Sequence, residues 1–376
     1  MSYHTIIDFL TPVNKDMISE DVGYRDGQIG YSIEVHEEEL PSIETADLVL
    51  VGCNEQRGAG QVAESRAADA IRTEFYRLYQ WHNDIRMIDI GNVRTGKSMY
   101  DTHAALKVVI QEVMAAGKMI VVLGGSNDLT LSQYYAFADN ETSIDAAGID
   151  AVIDIDTDSP LPCDNFVMEM MTGEPNYLRH YNHLGFQSYF VHPRMLETLD
   201  KLRFDFFRTG HVKEHIEEME PVLRNCHMAS FDISALAHAF APANPLTPNG
   251  LTGEEACILM QYIGMSTQMH SLGIYGYQPQ RDRDSMTAKQ ISQMLWYLVD
   301  GRSRGKREAF FDERHLFNEF HTAFAEVDTV FLQSKRTGRW WMQLPDQKYI
   351  ACSHRDYLMA SSNEIPERWL RALERQ

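Results

Sequence analysis

From Ala46 to about residue 300, short runs rich in Val and Ile alternate with amphipathic stretches, and this alternation limits the fold more than any other feature of the chain. The runs are Ala46–Cys53, Ile85–Gly91, Met119–Gly124, Ala151–Ile155, Ser188–Val191, Cys226–Ile233 and His270–Tyr275. They are short and apolar on both faces, as strands are when helices cover both sides of a parallel sheet. Between them, Ala63–Leu78 sets Ala67, Ile71, Phe75 and Leu78 at helical spacing, and Thr102–Ala116 does the same with Leu106, Val109, Ile110 and Val113. Gly253–Met265 and Lys289–Val299 repeat the pattern. The reading is an α/β protein, a three-layer α-β-α arrangement around a doubly wound parallel sheet with right-handed crossovers.

The ends differ from this middle. Residues 1–45 form a polar N-terminal extension. Residues 302–376 hold a strand at Thr329–Gln333, a turn at Lys335–Gly338, a strand at Trp340–Leu344 and a short helix at Pro366–Leu373. The expectation is one α/β domain over residues 46–301, with a C-terminal β-hairpin appendage packed on it. A chain of 376 residues, 44% of them hydrophobic, can bury a core of that size.

Charge narrows the ligands. Lys and Arg number 34 against 54 Asp and Glu, a formal net charge of −20. That argues against nucleic acid and anionic membranes, which need basic surface, and leaves small polar or cationic ligands open. No apolar run is long enough to span a bilayer. The first residues lack the basic segment and apolar stretch of a signal peptide. Five scattered cysteines without a Cys-x-x-Cys pair point to a reducing compartment, and the expectation is a cytoplasmic protein. No Gly-x-Gly-x-x-Gly or Walker A pattern is present.

Ligands of open parallel sheets bind outside the carboxyl ends of the strands. Three such ends carry small and acidic residues: Gly124-Gly125-Ser126-Asn127-Asp128, Asp154-Ile155-Asp156-Thr157-Asp158 and Ser230-Phe231-Asp232-Ile233-Ser234. If the chain is extended at Asp154, then Asp154, Asp156 and Asp158 share one face. Carboxylates so placed either hold a hard cation such as Mg²⁺, Ca²⁺ or Mn²⁺, or lie solvated in a loop.

As a set, these three ends resemble the ureohydrolase family of arginase, agmatinase and formimidoylglutamase. That family carries Gly-Gly-Asp-His, Asp-Ala-His-x-Asp and Ser-x-Asp-x-Asp in the same order. The third motif continues as the family's does, through Ala241-Pro242 to Gly250-Leu251-Thr252-Gly253-Glu254-Glu255. The early segment Gly52–Arg72, with its Ile71-Arg72 pair, also resembles the family's first strand, Gly-rich loop and helix, and the segments Gly124–Thr130 and Arg339–Met342 most resemble the formimidoylglutamase-like branch.

The resemblance implies a pair of Mn²⁺ ions that activate a hydroxide for attack on a guanidinium or amidine carbon. Carried over position by position, the family's ligands become Asn127, Asp154, Asp156, Asp158, Asp232 and Ser234. Asn127 and Asp156 then replace histidines, and Ser234 replaces an aspartate. The metal candidates are Asp154, Asp156, Asp158 and Asp232, enough for one hard divalent cation, with Asp156 also the catalytic candidate. Asn127, Ser234, Asn249 and Glu255 are the candidate ligand contacts. His180, His183, His238 and His270 fall in no motif, although each could shuttle protons.

Two functions remain open. One is a non-catalytic or atypical homologue with a degenerate metal site that binds a small cationic or amino-acid-like ligand. The other is a metal-dependent hydrolase of a C–N bond, as in N-formimidoyl-glutamate. A homo-oligomer is implied by the resemblance alone.

Overall fold

The computed structural model describes residues 6–19, 23–62, 65–201, 204–324 and 327–374. Residues 63–64, the start of the first expected helix, lie outside the described residues. In chain order the strands are β1 Leu10–Thr11, β2 Glu34–Val35, β3 Leu48–Cys53, β4 Met87–Val93, β5 Met119–Leu123, β6 Ile144–Ile149 and β7 Leu178–Phe186. They continue with β8 Asp205–Arg208, β9 Met228–Asp232, β10 Ser271–Tyr275, β11 Phe317–Phe324, β12 Val327–Ser334, β13 Trp340–Gln343 and β14 Tyr349–Cys352.

Among the described residues the large sheet has ten strands, in the order β1-β4-β3-β5-β10-β9-β6-β7-β8, with β2 also on β4. All pairs are parallel except β1 with β4. Every residue of β3, β5 and β10 is buried. Helices Ala67–Phe75, Gly253–Met265 and Met286–Gly305 bury their apolar stripes in the main core. Helix Met99–Ala115 packs Leu106, Val109 and Ile110 into a second core cluster. The three-layer α/β reading therefore holds.

Two expected strands are corrected. Ala151–Ile155 is irregular, and the strand there is β6, which ends at Ile149, before the expected strand begins. Ala151, Ile153 and Ile155 are buried because this loop packs its apolar residues inward, the last two against Phe166 and Val167. Ser188–Phe190 is a single 3₁₀ turn after β7, which escaped notice because it buries His180, Asn182 and His183.

The C-terminal hairpin is the centre of a larger element. β12 and β13 pair across a turn in which Gly338 has φ +75°, and β11 and β14 flank them in a four-stranded antiparallel sheet. The sheet is fastened to the α/β domain by buried arginines. Arg224 donates to the carbonyl of Trp340 at 2.8 Å and lies 4.5 Å over the Trp341 ring. Arg339 donates to the Met265 carbonyl at 3.1 Å.

Candidate functional site

Strands β5 and β6 follow each other in the chain, yet β10 and β9 lie between them. The order reverses there, which opens a crevice at the carboxyl ends. Gly124 and Gly125 leave β5 with φ +86° and +82°, and a Cβ on Gly125 would lie 2.6 Å from the Glu55 carbonyl oxygen. Only glycine makes that turn cheaply. It delivers Asn127, whose Nδ2 donates to Asp154 Oδ2 at 3.0 Å.

β9 ends on Asp232, whose Oδ1 accepts the Ser234 backbone N–H at 2.8 Å. The Ser234 hydroxyl donates in a short bond to Asp150 Oδ1. Asp150 directly follows β6 and also accepts the Val152 N–H at 3.0 Å. Gly276, after β10, has φ +78°, and a Cβ there would sit 2.5 Å from Asp232 Oδ2. The structure thus brings together Asn127, Asp150, Asp154, Asp232 and Ser234.

It does not bring Asp156 or Asp158 to them. Both are exposed. The chain turns at this point, with the Asp158 N–H bonded to Asp156 Oδ1 at 3.0 Å, so alternate residues share no face. The second motif therefore lies four residues upstream of its expected place. Asp150-Ala151-Val152-Ile153-Asp154 is the segment that follows β6 with Asp-Ala first and Asp fifth. Its third residue, Val152, has no donor atom on its side chain.

The remaining candidates have structural partners. Glu255 closes a capping box, accepting the Thr252 N–H at 2.7 Å, and lies 3.3 Å from Lys213 Nζ. Asn249 is exposed, and its carbonyl accepts Gln187 Nε2 at 2.9 Å. His183 contacts the Asp150 carbonyl at 3.1 Å through Nε2, and burial pushes its imidazole down to about 4, which keeps it neutral. His180 meets Asp205 at 3.0 Å and His238 meets the Asn244 carbonyl at 2.9 Å. His270 is half-buried and lies beside His227.

The three carboxyls face only neutral hydrogen-bond donors, and burial dominates their titration. It pushes Asp150 up to about 6 and, with the charge of Asp150, Asp232 up to about 8. Burial and the charges of Asp150 and Asp232 hold Asp154 well above the ordinary carboxylate range.

Beside the cluster lies a cleft of about 880 Å³, lined among others by Gln187, Arg208, His211, Lys213 and Asn249. The Gln187 N–H bonds the Ala151 carbonyl at 2.9 Å, which links this wall to the cluster. Among the described residues the side chain of Arg208, exposed at the end of β8, has no partner, whereas Lys213 is bonded to the Gly250 carbonyl and paired with Glu255.

The arginase-family model matches residues 46–300. The chain belongs to the arginase family. Formimidoylglutamase of Streptococcus pyogenes is 22% identical over 303 residues, covering 73% of this chain and 90% of that protein. A formiminoglutamase of Trypanosoma cruzi, solved with Mn²⁺₂, superposes with a TM-score of 0.63 at 16% identity, over 70% of this chain and 99% of that one. Formimidoylglutamase of Bacillus subtilis gives a TM-score of 0.60 at 16% identity, over 71% and 93%.

Within this arginase-family domain, sequence reasoning missed Asp150, Val152 and Arg208. An Asp-Ala pair after the small residues Ala146, Ala147 and Gly148 was the available signal for the first two. Arg208 carried none, because β8 itself went unread. Among the described residues, no group of three or more His, Cys, Asp or Glu side chains is placed to hold a metal ion. Nor, among them, is any helix long and apolar enough to cross a membrane.

A pH dependence follows from the raised carboxyls. Unfolded, they are ionised above about pH 4. Folded, they keep protons to higher pH, so their contribution to stability is full below the unfolded value and is lost as pH rises through the folded one. Without divalent cations, thermal stability is expected to fall from about pH 6.5 to about pH 8.5, by about 1.4 kcal/mol per pH unit for each proton still held. Asp232→Asn should flatten this slope in melting curves across the range. An unchanged slope would place the carboxyls in water.

Proposed function

We propose that this arginase-family protein is an atypical, ligand-binding homologue rather than a two-manganese hydrolase. The observation that carries this reading is Val152, an apolar side chain where the second motif of the family has its histidine. Ser234 supports it, since its hydroxyl is turned to Asp150 and replaces a carboxylate. Asn127 directs its amide N–H toward Asp154 and so presents a donor, not a lone pair. Three carboxyls remain, and this donor set does not fit a Mn²⁺ pair. It suits the head group of a small cationic ligand; one hard divalent cation, Mg²⁺, Ca²⁺ or Mn²⁺, would first have to draw the carboxyls together, since among the described residues none are placed as a metal-holding group. An amino-acid-like ligand would also find Arg208 for its carboxylate in the adjoining cleft.

Metal content per chain tests the reading. After purification with Mn²⁺ and removal of the excess, elemental analysis should give at most one ion per chain. Two would overturn it.

A second reading is a metal-dependent hydrolase of an amidine or guanidine such as N-formimidoyl-glutamate. It is favoured by the match to formimidoylglutamases across 73% of the chain. Release of ammonia or of free glutamate from that compound, lost in Asp154→Asn, would establish it. The five free cysteines agree with a cytoplasmic setting, and the family resemblance with a homo-oligomer.

A further inference from the structure

A second cavity lies outside the carboxyl cluster, between helix Met99–Ala115, helix Thr130–Ala138 and the segment Pro160–Glu169. Its volume is about 440 Å³, within the range of small-molecule sites. Tyr100, Leu131, Tyr135, Pro160 and Pro162 give it an apolar and aromatic wall.

Its polar groups are few and unevenly used. The Tyr135 hydroxyl donates to Glu169 Oε1 at 2.6 Å. Lys107 and Gln111 both donate to Asp139 Oδ2. Among the described residues, the second oxygens, Glu169 Oε2 and Asp139 Oδ1, accept nothing. Tyr135 and Asp139 stand one helical turn apart on the same face, so both carboxylates front the same space. Ser132 also lines the cavity, and its buried hydroxyl has no hydrogen-bond partner among the described residues. Two carboxylates against one ammonium leave a net negative rim beside two tyrosine rings, an arrangement that suits an organic cation with a flat apolar body.

We propose that this cavity is a binding site for a primary alkylamine that carries an aromatic ring, its ammonium received by Glu169 and Asp139 and its ring packed on Tyr100 and Tyr135. The site is separate from the carboxyl cluster. The two are linked through His103, which meets Asp128 at 3.1 Å beside Asn127, itself bonded to Asp154, and through the Val167 N–H, which donates to the Asp154 carbonyl at 3.1 Å.

The test uses the full chain and two probes with similar bodies, 2-phenylethylamine and 3-phenylpropionate, followed by calorimetry and saturation-transfer NMR. The amine should bind one per chain and the carboxylate should not. Glu169→Gln should weaken the amine about tenfold, since a charge-assisted hydrogen bond is lost. Tyr100→Ala, at an exposed position, should weaken it too. Asp154→Asn should leave amine binding unchanged. No binding of the amine, equal binding of both probes, or an amine affinity that Glu169→Gln and Tyr100→Ala do not move would each overturn the proposal. Loss of amine binding in Asp154→Asn would assign the amine to the carboxyl cluster and overturn it as well.

Discussion

Val152→His combined with Ser234→Asp should raise bound Mn²⁺ from at most one ion per chain to two. The physical reason lies in the donors. Position 152 follows β6 between two buried aspartates, and a histidine there adds an imidazole suited to Mn²⁺. Position 234 already contacts Asp150, so an aspartate there adds a fourth carboxylate at the crevice. Without metal the added charge meets Asp150 and Asp232 at close range, and the variant should melt below the parent. With Mn²⁺ at about a thousand times its dissociation constant, binding should return about 4 kcal/mol of stability. Elemental analysis gives the ion count, and melting curves with and without Mn²⁺ give the energy. Asn127→His is the third step of the series. If the double variant gains no ion, the backbone at β6 is not shaped for a pair and Val152 is not the deciding residue.

The second large effect concerns stability. Asp89→Asn should cost about 3–5 kcal/mol. Arg72 and Asp89 are both fully buried, joined by two hydrogen bonds of 2.7 and 2.9 Å. The Tyr76 hydroxyl donates to the same carboxylate at 2.8 Å, and Arg72 further bonds Asn92 at 2.6 Å and the Gly91 carbonyl at 2.9 Å. The network ties helix Ala67–Phe75 to β4. Removing this charge leaves the buried guanidinium only the half-exposed Asp69, at 3.0 Å, as a counter-charge, which weighs more than the net worth of the intact pair. Urea denaturation should show a lower midpoint at unchanged m-value. A cost under about 1 kcal/mol would mean that water reaches Arg72 in the variant.

Two of the three strand ends could be read directly. Leu123 runs straight into Gly124-Gly125 and Phe231 into Asp232, so apolar strand and polar turn abut without ambiguity. The β6 end could not. Ile144-Asp145-Ala146-Ala147-Gly148-Ile149 is rich in small residues because its neighbours lie close, and a Cβ on Gly148 would fall 2.2 Å from the Tyr181 hydroxyl. Small residues lower the strand signal. The loop that follows then supplied a false one, because its buried Ala151, Ile153 and Ile155 alternate as a strand does.

By itself, the sequence determined the α/β alternation and the set of motifs that marks the arginase family, because hydrophobic period and turn chemistry are local properties. Tertiary structure decided which carboxyls meet. Asp150, Asp154 and Asp232 come from segments up to 82 residues apart in number, and their convergence depends on β9 and β6 being neighbours in the sheet. Asp156 and Asp158, no farther from Asp154 in the chain than Asp150 is, are turned into solvent by one bend of the backbone.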